Sequence, residues 1–200
     1  MNMPRERRKA RSTAMKSSTT RSMASEAEEP IRLGRRTELF RGPVITLVER
    51  EIEGRAYRVV EHPGASCAVP VTPEGKIVLI RQFRPAIGEW IWEIPAGTLE
   101  PGELPEECMA REVVEEIGWE AESLESLGSI LTSPGFSNQR IHLFVAHLSR
   151  QVGTRHEDTE RINVHELDWD EVRRMMECNE IRDGKSLVAL HRYESRYGRD

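Results

Sequence analysis

From Thr37 onward, short apolar and β-branched runs alternate with turn signals at Glu53-Gly54, His62-Pro63-Gly64, Pro73-Glu74-Gly75-Lys76 and Ile87-Gly88. That pattern predicts strands joined by tight turns. Ile77-Val78-Leu79-Ile80 is a continuous apolar run of strand length, preceded by the run at 67–71 and followed by Arg81-Gln82-Phe83-Arg84-Pro85. A helical repeat then spans about 105–117, with Pro105 suited to a first turn and Gly118 to a left-handed stop. Further strands are predicted near 124–132, 141–148 and 162–168, and two closing helices near 169–177 and 185–197. This mixed order, without repeated β-α-β units, predicts an α/β (α+β) layered domain rather than a doubly wound parallel sheet.

Residues 1–29 show neither period and are rich in Arg, Ser, Thr and Met, so they are read as a disordered basic tail before a domain at 30–200. Their composition also suits an organelle transit peptide. A chain of 200 residues excludes a large multidomain machine. With 38% hydrophobic and 32% charged residues, it has enough apolar content for a core inside a well-solvated surface. No apolar run approaches the ~20 residues that cross a bilayer, and none forms a secretory h-region, so a cytoplasmic protein without a membrane partner is expected. Cys67, Cys108 and Cys178 lack C-x-x-C spacing and are read as reduced thiols with no activating partner. The net charge of −5 is uneven: residues 1–25 hold seven basic side chains against Glu6, leaving −11 on the rest. An acidic body lacks the footprint of a nucleic-acid partner.

The informative stretch is Gly97-Thr98-Leu99-Glu100-Pro101-Gly102-Glu103, followed by Arg111-Glu112-Val113-Val114-Glu115-Glu116-Ile117-Gly118-Trp119. On a helix, Glu112, Glu115 and Glu116 share one face, and Ala110, Val113, Val114 and Ile117 the opposite one. Converging carboxylates repel unless cations bridge them, and hard oxygen donors select Mg²⁺ or Mn²⁺. Taken alone, Arg111 to Glu116 also reads as a solvated face with one i,i+4 ion pair. Spacing decides between the two. The chain fits G-x5-E-x7-R-E-U-x-E-E-x-G-U, with U apolar, at all nine constrained positions. A chance match is on the order of one in ten million.

This pattern resembles the box of the Nudix hydrolases, and the likeness extends over roughly residues 37–197. It implies the Nudix α/β/α sandwich with a mixed sheet and extra N-terminal strands. It also implies hydrolysis of a small-molecule nucleoside diphosphate linked to another moiety. By position in the motif, the resemblance makes Glu112 and Glu116 metal ligands together with the Ala96 carbonyl. Glu115 would stand beside them as ligand or metal-water partner, and Arg111 would orient the carboxylates. Gly97 and Gly102 permit the tight loop that brings Glu103 back toward the helix. Leu104 stands where the family usually has a capping Ser or Thr, at a cost of ~1 kcal/mol.

Outside the box, Ser133-Pro134-Gly135-Phe136 resembles the downstream proline marker of ADP-ribose pyrophosphatases. Arg81-Gln82-Phe83-Arg84-Pro85 and Trp92-Glu93-Ile94-Pro95-Ala96-Gly97 resemble the same group's approach to the box, which would set Arg84 near the pyrophosphate. Glu38 to Gly42, Glu61 to Ala65 and Arg182 to Leu187 extend the likeness, the last in a structural role. The implied reaction is metal-dependent hydrolysis of ADP-ribose to AMP and ribose 5-phosphate by a homodimer. Glu160, in the acidic loop before Ile162, fits the family's loop glutamate, with Glu157 as the reserve. Glu100 and Glu103 would bind substrate or metal-held water. GDP-mannose, NADH, or non-catalytic sensing of ADP-ribose are the alternatives. Trp90 and Trp92 alternate on one strand and read as core or interface, while His142 and His147 read as structural.

Overall fold

The computed structural model describes residues 30–154 and 161–198. The basic tail, Glu157 and Glu160 therefore lie outside the described residues. Three strands, β1 (Leu33–Arg41), β2 (Thr46–Ile52) and β3 (Arg55–Glu61), form an antiparallel sheet in that order. The β2–β3 turn holds Glu53 and Gly54 at φ of 50° and 77°, the positive values a two-residue hairpin turn requires.

The second sheet contains β4 (Ala65–Val71), β5 (Ile77–Arg84), β6 (Glu89–Glu93), β7 (Ala96–Thr98), β8 (Trp119–Leu131), β9 (Arg140–Gln151) and β10 (Ile162–Leu167). Its order is β10-β5-β4-β9-β8, with β6 paired to β5 and β7 to β4. The β4–β9 pair is parallel, so the sheet is mixed as expected.

Strand alternation sorts the side chains into two cores. On one face Cys67, Val69, Leu79 and Val145 meet Val172 and Met175 of α2 (Trp169–Glu177) and Ala189 and Leu190 of α3 (Gly184–Tyr197). On the other, Ala68, Val78, Ile80 and Phe144 meet Met109, Val113 and Ile117 of α1 (Pro105–Ile117). The sheet thus lies between helices, giving the expected α/β/α sandwich. No helix among the described residues is long and apolar enough to cross a membrane.

Two details differ from expectation. Strand β8 begins at Trp119 rather than near 124, because Gly118 at φ 69° and ψ 30° turns the chain straight from helix into strand. A Cβ at Gly118 would lie 2.7 Å from the backbone of Gly153 and Thr154, so the turn also needs glycine for space. The faces of α1 are divided differently as well. Ala110 is exposed, whereas Glu116 is only 2% exposed, alongside Cys108, Met109, Val113 and Ile117. A buried acid is tolerated there because its carboxylate accepts the Ala96 N–H at 2.8 Å.

Candidate active site

The loop from Gly97 to Leu104 delivers α1 to the edge of β7. Gly102, at φ 83°, allows the reversal, and Glu103 Oε2 accepts the Glu100 N–H at 2.9 Å. The helix starts without a side-chain cap from Leu104, whose own N–H donates to Glu107 Oε2 at 3.0 Å. Ser66 of β4 ties down the first turn by donating to the Pro105 carbonyl at 2.8 Å.

Arg111 gathers the acids of this helix and loop. Its Nε and Nη2 donate to Glu103 at 3.0 and 3.1 Å, and its Nη1 to Glu112 at 2.6 Å and Glu115 at 3.0 Å. The Glu103 hydrogen bond, with those of the other acids, holds the guanidinium pKa far above its ordinary value. The same bond pulls the Glu103 carboxyl below the usual carboxylate range.

Glu112 and Glu116, one helical turn apart, converge on the backbone of residues 96–97. Glu116 takes the Ala96 N–H, and Glu112 fills the place a side chain on residue 97 would occupy. Among the described residues no group of three or more His, Cys, Asp or Glu is arranged to hold a metal ion. The donor set is instead the two carboxylates of Glu112 and Glu116 beside the backbone of residues 96–97, in a cradle that a Cβ on residue 97 would close. All these donors are hard oxygens, which fits a hard divalent cation.

Beside this cradle is a cavity of about 830 Å³. That is ample for a nucleotide-sized ligand. Ala96, Gly97 and Thr98 form one wall. Arg84, Glu93, Asp183 and Lys185 supply its charged groups. Arg84 Nε and Nη2 grip Glu93 at 2.7 and 2.5 Å, and Lys185 Nζ meets the same carboxylate at 2.5 Å and Asp183 at 2.9 Å. Glu93 is 1% exposed, so its two cations replace the water it has lost. The Glu93 bonds raise the Arg84 pKa, and the charge of nearby Glu116 adds to the effect. Burial pushes Lys185 down, but Asp183 and Glu93 outweigh it and the net shift is upward. Asp183 is the converse, pushed up by burial and brought below its ordinary value by Lys185 and Ser186. Its carboxylate also caps α3, accepting the Ser186 N–H at 2.9 Å.

Residues 60–191 match the family described as the NUDIX domain. The chain belongs to the NUDIX family. Over 160 residues this NUDIX protein is 36% identical to the ADP-ribose pyrophosphatase of Bacillus subtilis (strain 168), a match covering 76% of this chain and 86% of the relative. It is 38% identical, over the same length and with the same coverage, to the methanol dehydrogenase activator of Bacillus methanolicus. The crystal structure of an ADP compounds hydrolase shares the fold, with a TM-score of 0.72 at 18% identity, over 87% of this chain and 97% of its own.

Within the NUDIX domain, the residues singled out in the sequence fall into separate groups. Glu112 and Glu116 meet at Ala96, Glu115 is tied to them through Arg111, and Arg84 lines the cavity. Neither Glu100 nor Glu103 lines that cavity: Glu100 is exposed on the loop, and Glu103 is engaged by Arg111. Trp92 packs on the core and Trp90 lies edge-on to Phe83 at 5.9 Å. Burial raises the Cys67 and Cys108 thiols to about 12, which leaves both unreactive at neutral pH.

Sequence reasoning missed Glu93, Asp183 and Lys185 as cavity residues and read the segment 182–187 as structural only. A signal was present. Glu93 is an acid between Trp92 and Ile94 in an apolar strand, and burying it demands a cation from elsewhere.

Proposed function

We propose that this NUDIX protein hydrolyses the pyrophosphate bond of ADP-ribose to AMP and ribose 5-phosphate. The observation that carries the reading is the 830 Å³ cavity, walled by the Ala96–Thr98 strand that Glu112 and Glu116 abut and furnished with Arg84 and Lys185. The similarity to an ADP-ribose pyrophosphatase across most of both chains supports the choice of substrate.

Glu112, Glu116 and the Ala96 carbonyl would hold Mg²⁺ or Mn²⁺. Bound there, divalent ions neutralise the pyrophosphate and lower the pKa of the attacking water. Arg111 keeps Glu112 and Glu115 aimed by sharing one guanidinium between them. Arg84 spends Nε and Nη2 on Glu93, which fixes its plane and leaves Nη1 for a phosphate oxygen. Glu115, or Glu160 of the loop outside the described residues, takes the proton as water attacks phosphorus in line with the departing phosphate. Glu103 acts through Arg111 instead of on the substrate.

We assign the assembly as a homodimer built on the N-terminal sheet, where Leu33, Leu39, Phe40, Val44 and Ile45 are exposed. Exposed apolar side chains of this kind suit an interface. The reading includes a cytoplasmic protein, with residues 1–29 as an accessory tail before the domain at 30–200. The test is parallel incubation of ADP-ribose, GDP-mannose and NADH with Mg²⁺, with Glu116→Gln as the control and products separated by chromatography. AMP released selectively from ADP-ribose, and lost in the variant, is the expected result. Preferential turnover of GDP-mannose would overturn the substrate assignment, and tight ADP-ribose binding without turnover would overturn the enzymatic one.

A further inference from the structure

His62, Thr132 and Gln139 line the same cavity but lie outside the carboxylate helix and its glycine loop. His62 Nδ1 accepts the Gly64 N–H at 3.0 Å. Its Nε2 lies 3.3 Å from Gln139 Nε2, and Gln139 Oε1 lies 2.8 Å from Thr132 Oγ1. Two turns bring them together. Gly64, at φ 111°, closes the His62-Pro63-Gly64 turn. Ser133-Pro134-Gly135-Phe136 reverses the chain between β8 and β9, so Thr132 and Gln139 face each other just beyond the paired Leu131 and Arg140. The second turn docks on β3, with Val60 N–H donating to the Phe136 carbonyl at 2.8 Å and His62 N–H to Asn138 Oδ1 at 2.8 Å.

The proton count fixes the direction of this chain of hydrogen bonds. Burial lowers the His62 pKa, so at neutral pH the ring is uncharged and carries one N–H. Nδ1 is already an acceptor, which leaves the proton on Nε2. An N–H cannot donate to an NH₂ group. The Gln139 amide is therefore turned with its oxygen toward His62 and its NH₂ toward Thr132. Thr132 Oγ1 then accepts, and its own O–H remains to be donated into the cavity.

We infer that His62, acting through Gln139, orients the Thr132 hydroxyl as a hydrogen-bond donor to a sugar oxygen of the substrate. Thr132 is thus a specificity residue and His62 a positioning residue. The inference rests on the site taking a nucleoside diphosphate sugar, as proposed above. Arg84 and Lys185 suit the phosphates, whereas an uncharged donor suits an uncharged acceptor. Among the described residues no Phe, Tyr or Trp lines the cavity, and the ring nitrogens of His62 on this wall are taken up by Gly64 and Gln139.

The test uses full-length Thr132→Val, His62→Leu, the double variant and His62→Gln, each with its Tm recorded. Thr132→Val and His62→Leu should each raise KM for ADP-ribose about fivefold with little change in kcat, the loss of one neutral hydrogen bond. The double variant should be no worse than either alone, and His62→Gln, which restores an N–H donor, should recover most of the affinity. An unchanged KM in Thr132→Val, additive losses in the double variant, or a fall confined to kcat would overturn the inference. Nitrogen NMR of His62 in the wild-type protein tests the direction without substrate: protonation at Nε2 is expected, and at Nδ1 would overturn it. Absence of wild-type turnover of ADP-ribose would instead overturn the function proposed above, and the same KM comparison would then be made with GDP-mannose.

Discussion

Glu112 occupies the space where a side chain on Gly97 would stand: a Cβ there would lie 1.7 Å from Oε1 and 1.9 Å from Cδ of the carboxylate. Arg111 Nη1 donates to the same Oε1 at 2.6 Å. The first glycine of the motif therefore serves close approach, since its φ is not in the left-handed region.

Gly97→Ala should fold with an unchanged far-UV spectrum, because alanine accepts that backbone conformation. The methyl group must push Glu112 out of place, and a displacement near 1 Å at a reacting centre costs about a hundredfold in rate. ADP-ribose hydrolysis by Gly97→Ala at saturating Mg²⁺ measures this. A wild-type kcat would mean that the position of Glu112 does not matter to the chemistry.

Arg111 bonds three acids at once, using the planar fork of its guanidinium. Lysine carries the same charge as a single point and cannot span Glu103, Glu112 and Glu115 together. Arg111→Lys is expected to weaken metal binding by roughly 10–100-fold, as loss of a residue that orients metal ligands does. Titrating Mg²⁺ against rate should show a higher half-saturation concentration, with much of kcat regained when metal is saturating. An unshifted titration curve would remove the orienting role.

Lys185 is nearly buried between two carboxylates, so Lys185→Met leaves Asp183 without its cation and should cost about 3 kcal/mol in urea unfolding. Asp183 adds a pH signature. Its folded pKa lies below the ordinary 3.8, so its contribution is complete above that value and is lost as pH falls through the lower folded one. Asp183→Asn should thus have a lower Tm than wild type at pH 7, with the gap narrowing in acid below about 3.8. A gap independent of pH would show that Asp183 contributes only as a helix cap.

The layered fold was legible in the chain because its cues are local: the apolar runs at 67–71 and at Ile77 to Ile80, the turn signals between them, and the proline and glycine bounding α1. Glu112, Glu115 and Glu116 were legible because one helix carries them all at fixed spacing. The burial of Glu116 was not, since it depends on an N–H supplied by Ala96, twenty residues away. Nor was the partnership of Glu93 with Lys185, 92 positions apart, which exists only once α3 is set against β6. His62 and Gln139, 77 positions apart, were separately visible in turn motifs, but nothing local indicates that two turns meet.

Leu104 gives a prediction free of catalysis. Its extended backbone, at φ −76° and ψ 150°, is that of a helix N-cap, yet its side chain offers no acceptor to the first turn of α1. The side chain is 58% exposed, so replacing it removes little buried surface. Leu104→Ser supplies the missing oxygen and keeps the reciprocal Glu107 bond to the backbone N–H, completing a capping box. Stability should rise by about 1 kcal/mol, and Tm by about 3 °C for a domain of this size. KM and kcat should remain at wild-type values, because no atom of Leu104 lines the cavity. Calorimetry beside a kinetic assay separates the outcomes: an unchanged Tm would mean that Ser66 and Glu107 already hold the helix start, and a changed kcat would tie this cap to the position of the carboxylates.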